Sequence, residues 1–436
     1  MIKRFVFLAV VASSLLAVAC GEPQPMTEGG LPTSLRGVPA VMLNYVYEAD
    51  VPAPEVEVAE KQALVDPPVQ AHFEISRPDE IVDRTLVSPD KRRVLAIYHR
   101  TGDLPAEFRL DMYTADGRLL NKITPDVMAV HFRDTIVWSP DSTAVAFVAM
   151  IRAAQDEMAE GSATPATEPT PEGPITDVVP EEPTPAPEQP EAPPAAEATP
   201  EAPTGILAFR TEQLYLADAD GGNVRPITQS EGLMYFYYAW SPDSSMLAAL
   251  AATAREWQYL EALAERNGEM FIPLGRPRIV ERNGRERRLD DALTAVRPVW
   301  SPDSAKVATG FDTQIRIYDA VGTNPTQAAV PLRNALLISS QAFDRSQAEQ
   351  LNAPPGAEPD ANANAAKPEG PATLPDPASL VSFNPIVGLD WSNEQLLYFQ
   401  TAFIKRMVNE ADSVTSFRRW HRLILSPQAP PPGAAN

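Results

Sequence analysis

One short phrase, repeated, constrains this chain more than anything else in it. Trp138-Ser139-Pro140-Asp141-Ser142, Trp240-Ser241-Pro242-Asp243-Ser244 and Trp300-Ser301-Pro302-Asp303-Ser304 are three copies, with Val87-Ser88-Pro89-Asp90 and Trp391-Ser392-Asn393-Glu394 as altered ones. Serine accepts at the first position of a tight turn, proline presets φ at the second, and aspartate suits the third. An apolar run follows every copy, such as Val94-Leu95-Ala96-Ile97-Tyr98 or Met246-Leu247-Ala248-Ala249-Leu250. Two copies continue into a further strand and an Asp-Gly pair, Asp116-Gly117 and Asp220-Gly221, a strong hairpin signal between apolar runs. The unit is four antiparallel strands.

Spacing supports a repeat. The turn serines stand 51, 102, 60 and 91 residues apart. Removing a 53-residue tract (152–204) turns 102 into 49, and removing a 36-residue tract (344–379) turns 91 into 55. A helical insert over 254–272, with Trp257, Leu260 and Leu263 at helical spacing, explains the excess in 60. The period of about 40–55 lies near that of propeller repeats. The sequence predicts an all-β fold: a β-propeller of four-stranded antiparallel blades carrying long disordered inserts. Trp138, Trp240, Trp300 and Trp391 should hold one place in successive blades and fill the gaps between them, whereas Trp257, in the insert, should matter less.

These phrases resemble the repeats of the TolB-type β-propeller family, over roughly 85–320 and 385–426 outside the inserts. The resemblance implies a non-catalytic module that binds protein or peptidoglycan-associated partners. Val87 in place of tryptophan, and Asn393-Glu394 in place of Pro-Asp, mark the outer copies as degraded. Residues 41–87, with Val41 to Tyr47 and His72-Phe73-Glu74-Ile75, are expected to supply a sixth, degenerate blade and the strand that closes the ring. Six blades are expected, with seven as the alternative.

Charge separates core from decoration. The chain carries 36 Lys+Arg against 58 Asp+Glu, a net −22, which argues against nucleic acid because phosphate binding needs a basic face. The 152–204 tract holds twelve acids and one arginine, half of that charge, with few large apolar residues to offset the entropy of folding. The 344–379 tract is Ala/Asn/Pro-rich and 427–436 is a proline-rich tail. All three are expected to be disordered, leaving 41–426 as the propeller.

The beginning reads as an address. Lys3-Arg4 and an apolar run from Phe5 to Ala19 make a secretory signal, and about 15 residues is short for a membrane span. It ends Leu16-Ala17-Val18-Ala19-Cys20, which resembles a bacterial lipobox, with Ala17 where leucine is commoner. Cys20 is the only cysteine, so no intramolecular disulfide or thiolate zinc site can form. Residues 1–19 are read as a signal peptide, Cys20 as the lipidated residue and 20–40 as the tether of an extracytoplasmic, membrane-anchored monomer. More than one acyl chain makes such attachment stable.

Catalytic patterns are poor. Ser88-Pro89-Asp90-Lys91 fits a Ser-x-x-Lys pattern but occupies the turn slot of the repeat. Asp218 to Asn223 lacks the later ligands of a calcium loop and reads as a hairpin. His72, His99, His131 and His421 sit in unrelated segments without metal-ligand spacing. No cofactor and no catalytic residue is assigned. One ribbon stands out: Arg276 to Arg288, a hairpin tipped by Asn283-Gly284, carries six arginines in an acidic protein. Arg278, Arg282, Arg285, Arg287 and Arg288 are candidates for docking an anionic partner, glycan or lipid head group, because arginine forks suit carboxylate and phosphate. The bland alternative is a solvated hairpin paired with the protein's own acids. Two function classes follow: a lipid-anchored binding module, or a glycan or peptide hydrolase with a site in the channel. Carboxylates or histidines converging at the channel mouth distinguish the second.

Overall fold

The computed structural model describes residues 34–55, 64–151, 212–230, 232–352 and 374–428. Signal segment 1–19, Cys20, the tether to residue 33, the 152–204 tract, residues 353–373 and the tail from 429 lie outside the described residues. Among those described, no helix is long and apolar enough to cross a membrane.

Five antiparallel sheets make the body. Strand β1 (Leu43–Glu48) and helix α1 (Pro67–Ser76) come first. The first sheet is β2 (Glu80–Val87), β3 (Arg93–Arg100), β4 (Arg109–Thr114) and β5 (Leu119–Lys122). In the second, β6 (Met128–His131) and β7 (Val137–Trp138) share one edge beside β8 (Ala144–Ile151), followed by β9 (Gln213–Asp218) and β10 (Arg225–Pro226). The third holds β11 (Leu233–Trp240), β12 (Met246–Thr253), β13 (Arg276–Glu281) and β14 (Glu286–Arg288), with helix α2 (Ala254–Asn267) between its middle strands. The fourth is β15 (Val299–Trp300), β16 (Lys306–Phe311), β17 (Gln314–Asp319) and β18 (Gln327–Pro331), followed by helix α3 (Arg333–Asn352). The fifth takes β19 (Ile386–Asn393), β20 (Leu396–Lys405) and β21 (Val414–Pro427), and its fourth strand is β1, paired from Leu43↔Pro427 to Glu48↔Arg422. Both ends of the described chain thus meet in one sheet.

The middle strands are apolar on both faces because sheets pack on both sides of them. Alternate residues of β8 go to different neighbours: Val145 and Phe147 pack with the first sheet, Ala144, Ala146 and Val148 with the third. Small side chains recur there, as in Ala248, Ala249, Ala251 and Ala252 of β12, and let adjacent sheets approach closely. Further clusters join the third sheet to the fourth and the fourth to the fifth.

The free face of the first sheet is covered differently. Val69 and Phe73 of α1 pack on Val94, Ala96, Tyr98 and Tyr113. The hairpin glycines show what α1 replaces. Gly221 of the second sheet (φ +83°) abuts Met112 of the first, so a Cβ there would stand 2.8 Å from the Met112 Cβ; Gly117 of the first sheet (φ +83°) abuts Pro68 of α1 in the same way, at 2.7 Å. The helix stands where a preceding sheet would stand. Asp66 caps it and Pro67 opens it, which suits an N-terminus. The expected sixth sheet is therefore not formed among the described residues. Residues 41–87 give one strand to the fifth sheet, a helix, and the first strand of the first sheet.

Two inserts can be compared with expectation. Helix α2 occupies most of 254–272, with a Thr253/Glu256 capping box and Gly268 in the left-handed conformation at its end. Residues 344–352, expected to be disordered, instead continue α3, whose Leu336 and Leu337 are buried, and 377–379 form a short 3-10 turn.

Strand direction sorts every connection to one of two ends. Each Ser-Pro-Asp turn and the hairpins at 115–118, 219–224 and 282–285 lie at one end, here the turn end, where no link between successive strands exceeds the seven residues from Ala320 to Thr326; the tight hairpin at Asp312-Thr313 lies at the other. The other end carries the 152–212 connection, α2, α3 and the 406–413 loop. Residues 34–42 and Pro427 lie at the turn end.

Candidate functional site

The repeated turns are consumed by structure. Ser88, Ser139, Ser241 and Ser301 each donate to the aspartate two residues on, at 2.5–2.6 Å, and accept the backbone N–H five residues on, at 2.9–3.0 Å. Pro89, Pro140, Pro242 and Pro302 occupy the second turn position, and the fourth residues, Lys91, Ser142, Ser244 and Ser304, are left-handed at φ 59–62°. Three of those fourth residues then tie sheet to sheet. The N–H groups of Asp90, Asp141 and Asp243 donate to Ser142, Ser244 and Ser304 of the following sheet at 2.9–3.0 Å. The indole N–H of Trp138, Trp240 and Trp300 reaches back to the carbonyls of Leu86, Val137 and Ala239 at 3.0–3.3 Å. Trp391 bonds within its own turn, to the Glu394 carbonyl at 3.5 Å. At that seam the N-terminal segment takes over: Arg36 donates to the Asp303 carbonyl and Leu35 N–H to the Glu394 carboxylate, both at 3.2 Å.

Trp257 departs from expectation. It is as buried as the turn tryptophans and packs on Phe271, Phe236 and Phe132 with ring centroids 4.7–5.9 Å apart, so α2 is pinned to two sheets.

The histidines are all engaged. His72 meets the Tyr113 hydroxyl at 3.1 Å, and His99 Nδ1 lies 2.8 Å from Asp83. His131 Nδ1 lies 2.7 Å from the buried Glu212, while His131 Nε2 and Glu212 Oε2 are buried without a hydrogen-bond partner among the described residues. His421 is enclosed between Tyr47 and Thr401, and burial, then Arg419, hold it near pKa 4.

The arginine ribbon divides. Arg276 pairs with Glu256 at 2.7 Å, the buried Arg278 with Glu286 at 2.9 Å, and Arg288 with Asp291 at 3.0 Å. Arg278 and Arg288 do not line the groove that gathers the other three candidates. Arg282, Arg285 and Arg287 converge in a groove of about 610 Å³ at the turn end, between the third and fourth sheets, with Asn283, Val321 and Pro325. Two of the three are loosely paired: Arg282 is 3.6 Å from Asp141 and lies over the Trp240 ring, and Arg285 is 3.7 Å from Glu281. Arg287 is different. Its Nη2 donates to the carbonyls of Asp319 (2.5 Å) and Ala320 (3.3 Å), and among the described residues it has no carboxylate in ion-pair range and no partner for its other N–H donors. Burial, then the neighbouring Arg285, push its pKa below the ordinary arginine value.

Asp319 holds this groove to the N-terminal segment. Its carboxylate accepts Ala40 N–H at 3.0 Å and the Thr326 hydroxyl at 2.7 Å, with Lys306 Nζ 3.4 Å away. Sequence reasoning missed Asp319 and Glu212. Both act through residues dozens to hundreds of positions away, and neither sits in a motif.

No protein-family model matches the sequence, and neither does any curated protein. Solved structures similar to it include an oligogalacturonate lyase from Vibrio parahaemolyticus, at 11% identity and TM-score 0.32 over 78% of this chain and 64% of that one. Prolyl oligopeptidase B from Galerina marginata gives 9% and 0.35 over 60% and 31%, and Kuenenia stuttgartiensis hydrazine synthase 14% and 0.28 over 55% and 52%. The chain spans less than two thirds of their lengths. Likenesses this loose assign no chemistry to it.

Proposed function

We propose that this chain is a lipid-anchored, non-catalytic propeller outside the cytoplasm, a TolB-like module that holds a protein or cell-envelope partner. Its five sheets act as blades, with α1 in the place of a sixth, and β1 joins the ends of the ring as the outer strand of the last blade. One observation carries the binding role: the turn-end groove gathers three guanidinium groups, with Glu281 as its carboxylate and no histidine. Such a site holds an anion; it has no group suited to moving protons near neutral pH. Crosslinking in the native envelope tests this. Arg282→Gln, Arg285→Gln and Arg287→Gln together should abolish a specific crosslinked partner, while an unchanged set of partners would contradict the role of the groove.

A second reading, an envelope hydrolase, has the His131–Glu212 pair in its favour, because a carboxylate orients an imidazole that acts as general base; the buried Nε2 would have to become accessible to substrate. Hydrolysis of envelope glycan or peptide by the purified protein, lost in His131→Ala, would establish it.

A further inference from the structure

We propose that the turn-end groove is a phosphate site for anionic membrane lipid, so that the protein lies with its turns on the bilayer and its long connections turned away. This rests on the anchored reading above and names the ligand of that groove.

Three observations on the same end converge. The described chain begins there: Leu35, Arg36 and Ala40 are fastened to Glu394, Asp303 and Asp319, so any anchor at Cys20 pulls on this end. The connections between strands at this end are also short, whereas α2, α3 and the longer loops stand at the other. Finally, Arg287 offers unspent N–H donors beside the backbone of the very aspartate that holds Ala40. An arginine fork presents its donors in a plane that matches phosphate oxygens, and Val321, 43% exposed on the rim, suits the acyl side of a head group.

The net charge of −22 opposes an anionic surface, and half of it belongs to the 152–204 tract, outside the described residues. The 152–212 connection leaves β8 at Ile151, at the far end of strands about eight residues long. Eight residues at ~3.3 Å each make about 26 Å, roughly three Debye lengths at physiological salt. At the groove itself three arginines, Arg282, Arg285 and Arg287, stand against the carboxylates of Glu281 and Asp141. Each arginine at an anionic surface contributes about 1 kcal/mol, or about fivefold in affinity.

The test uses the full chain carrying Cys20→Ser, which removes the acyl contribution, and sedimentation with vesicles of phosphatidylcholine alone or mixed with phosphatidylglycerol. Binding to the mixed vesicles, weakened about fivefold by Arg287→Gln and only partly kept by Arg287→Lys, which retains the charge but not the fork, is expected. Arg418→Gln, an exposed charge near the opposite end, should leave it unchanged. Equal sedimentation with both vesicles, or equal loss with Arg418→Gln, overturns the proposal. So does competition by inorganic phosphate without vesicle binding, which would mark a free-anion site, and retention of an acidic protein alone, which would mark a protein-docking site. Mass spectrometry of Cys20 in the native protein reports separately on the anchor, so failure of the groove and failure of the anchored reading are distinguishable.

Discussion

The two ends of the sheets are built by opposite rules. At the turn end, four Ser-Pro-Asp turns repeat one geometry, and serine and tryptophan link the second, third and fourth sheets each to the one before. At the other end every sheet differs: α2 follows β12, α3 follows β18, and the loop after β20 bonds across to Gly268 and Met270 beyond α2. The lesson is that repetition and variation are separated in space. The repeated end fixes the spacing of sheets, and the varied end is free to carry inserts because strand pairing is already complete.

The largest effect should come from breaking a seam at the repeated end. Trp240→Ala removes a ring that is buried between two sheets and bonded to Val137, and should cost about 3–5 kcal/mol in thermal or denaturant unfolding. Trp257→Ala at the varied end should cost about 3 kcal/mol, the low end of that range, because its ring fixes α2 to the sheets and not the sheets to each other. A greater loss at Trp257 would show that α2 is a structural keystone rather than an insert.

A pH effect between about pH 4 and 6.5 should come from His421, whereas the lowered carboxylates Asp90, Asp141 and Asp243 of the turn end act below that interval. His421 has its pKa lowered to about 4, against 6.5 when free, so between those values the unfolded chain binds the proton and the folded one does not. The stabilisation is full above about pH 6.5 and is lost as pH falls toward 4, by about 3 kcal/mol. His421→Gln should flatten that slope in urea titrations across the interval. A slope unchanged by the substitution would assign the acid sensitivity elsewhere.

The smallest effect concerns the acidic tract. Ala149 pairs with Gln213, so the ends of β8 and β9 are neighbours and a short linker can join them. Replacing residues 152–211 by a Gly/Ser turn should change stability by less than about 1 kcal/mol, since loop closure depends only logarithmically on length. A cooperative loss of β circular dichroism would show that the tract belongs to the core.

How much was legible follows the same division. Turn chemistry is local, so the Ser-Pro-Asp turns, the Asp-Gly hairpins and the α2 capping box could be read from neighbouring residues. The fate of 41–87 could not. His72-Phe73-Glu74-Ile75 alternates like a strand, yet Asp66 and Pro67 start a helix whose Val69 and Phe73 find their cover on a distant sheet. Residues 344–352 were hidden by the Ala/Asn/Pro-rich stretch that follows them, although Arg345, Gln347, Ala348, Glu349, Gln350 and Leu351 are good helix formers that extend α3. The arginine ribbon was visible, but which arginines are spent depended on Glu256, Glu286 and Asp291 in three dimensions.

The central claim, that the repeated end faces the membrane, is tested most directly by hydrogen–deuterium exchange of the native lipidated protein, on vesicles containing phosphatidylglycerol and in detergent. The account predicts added protection on vesicles at 241–245, 282–285 and 320–326, with 406–413 and α2 unchanged. Protection at 406–413 and α2, with the turns exchanging as before, would contradict it.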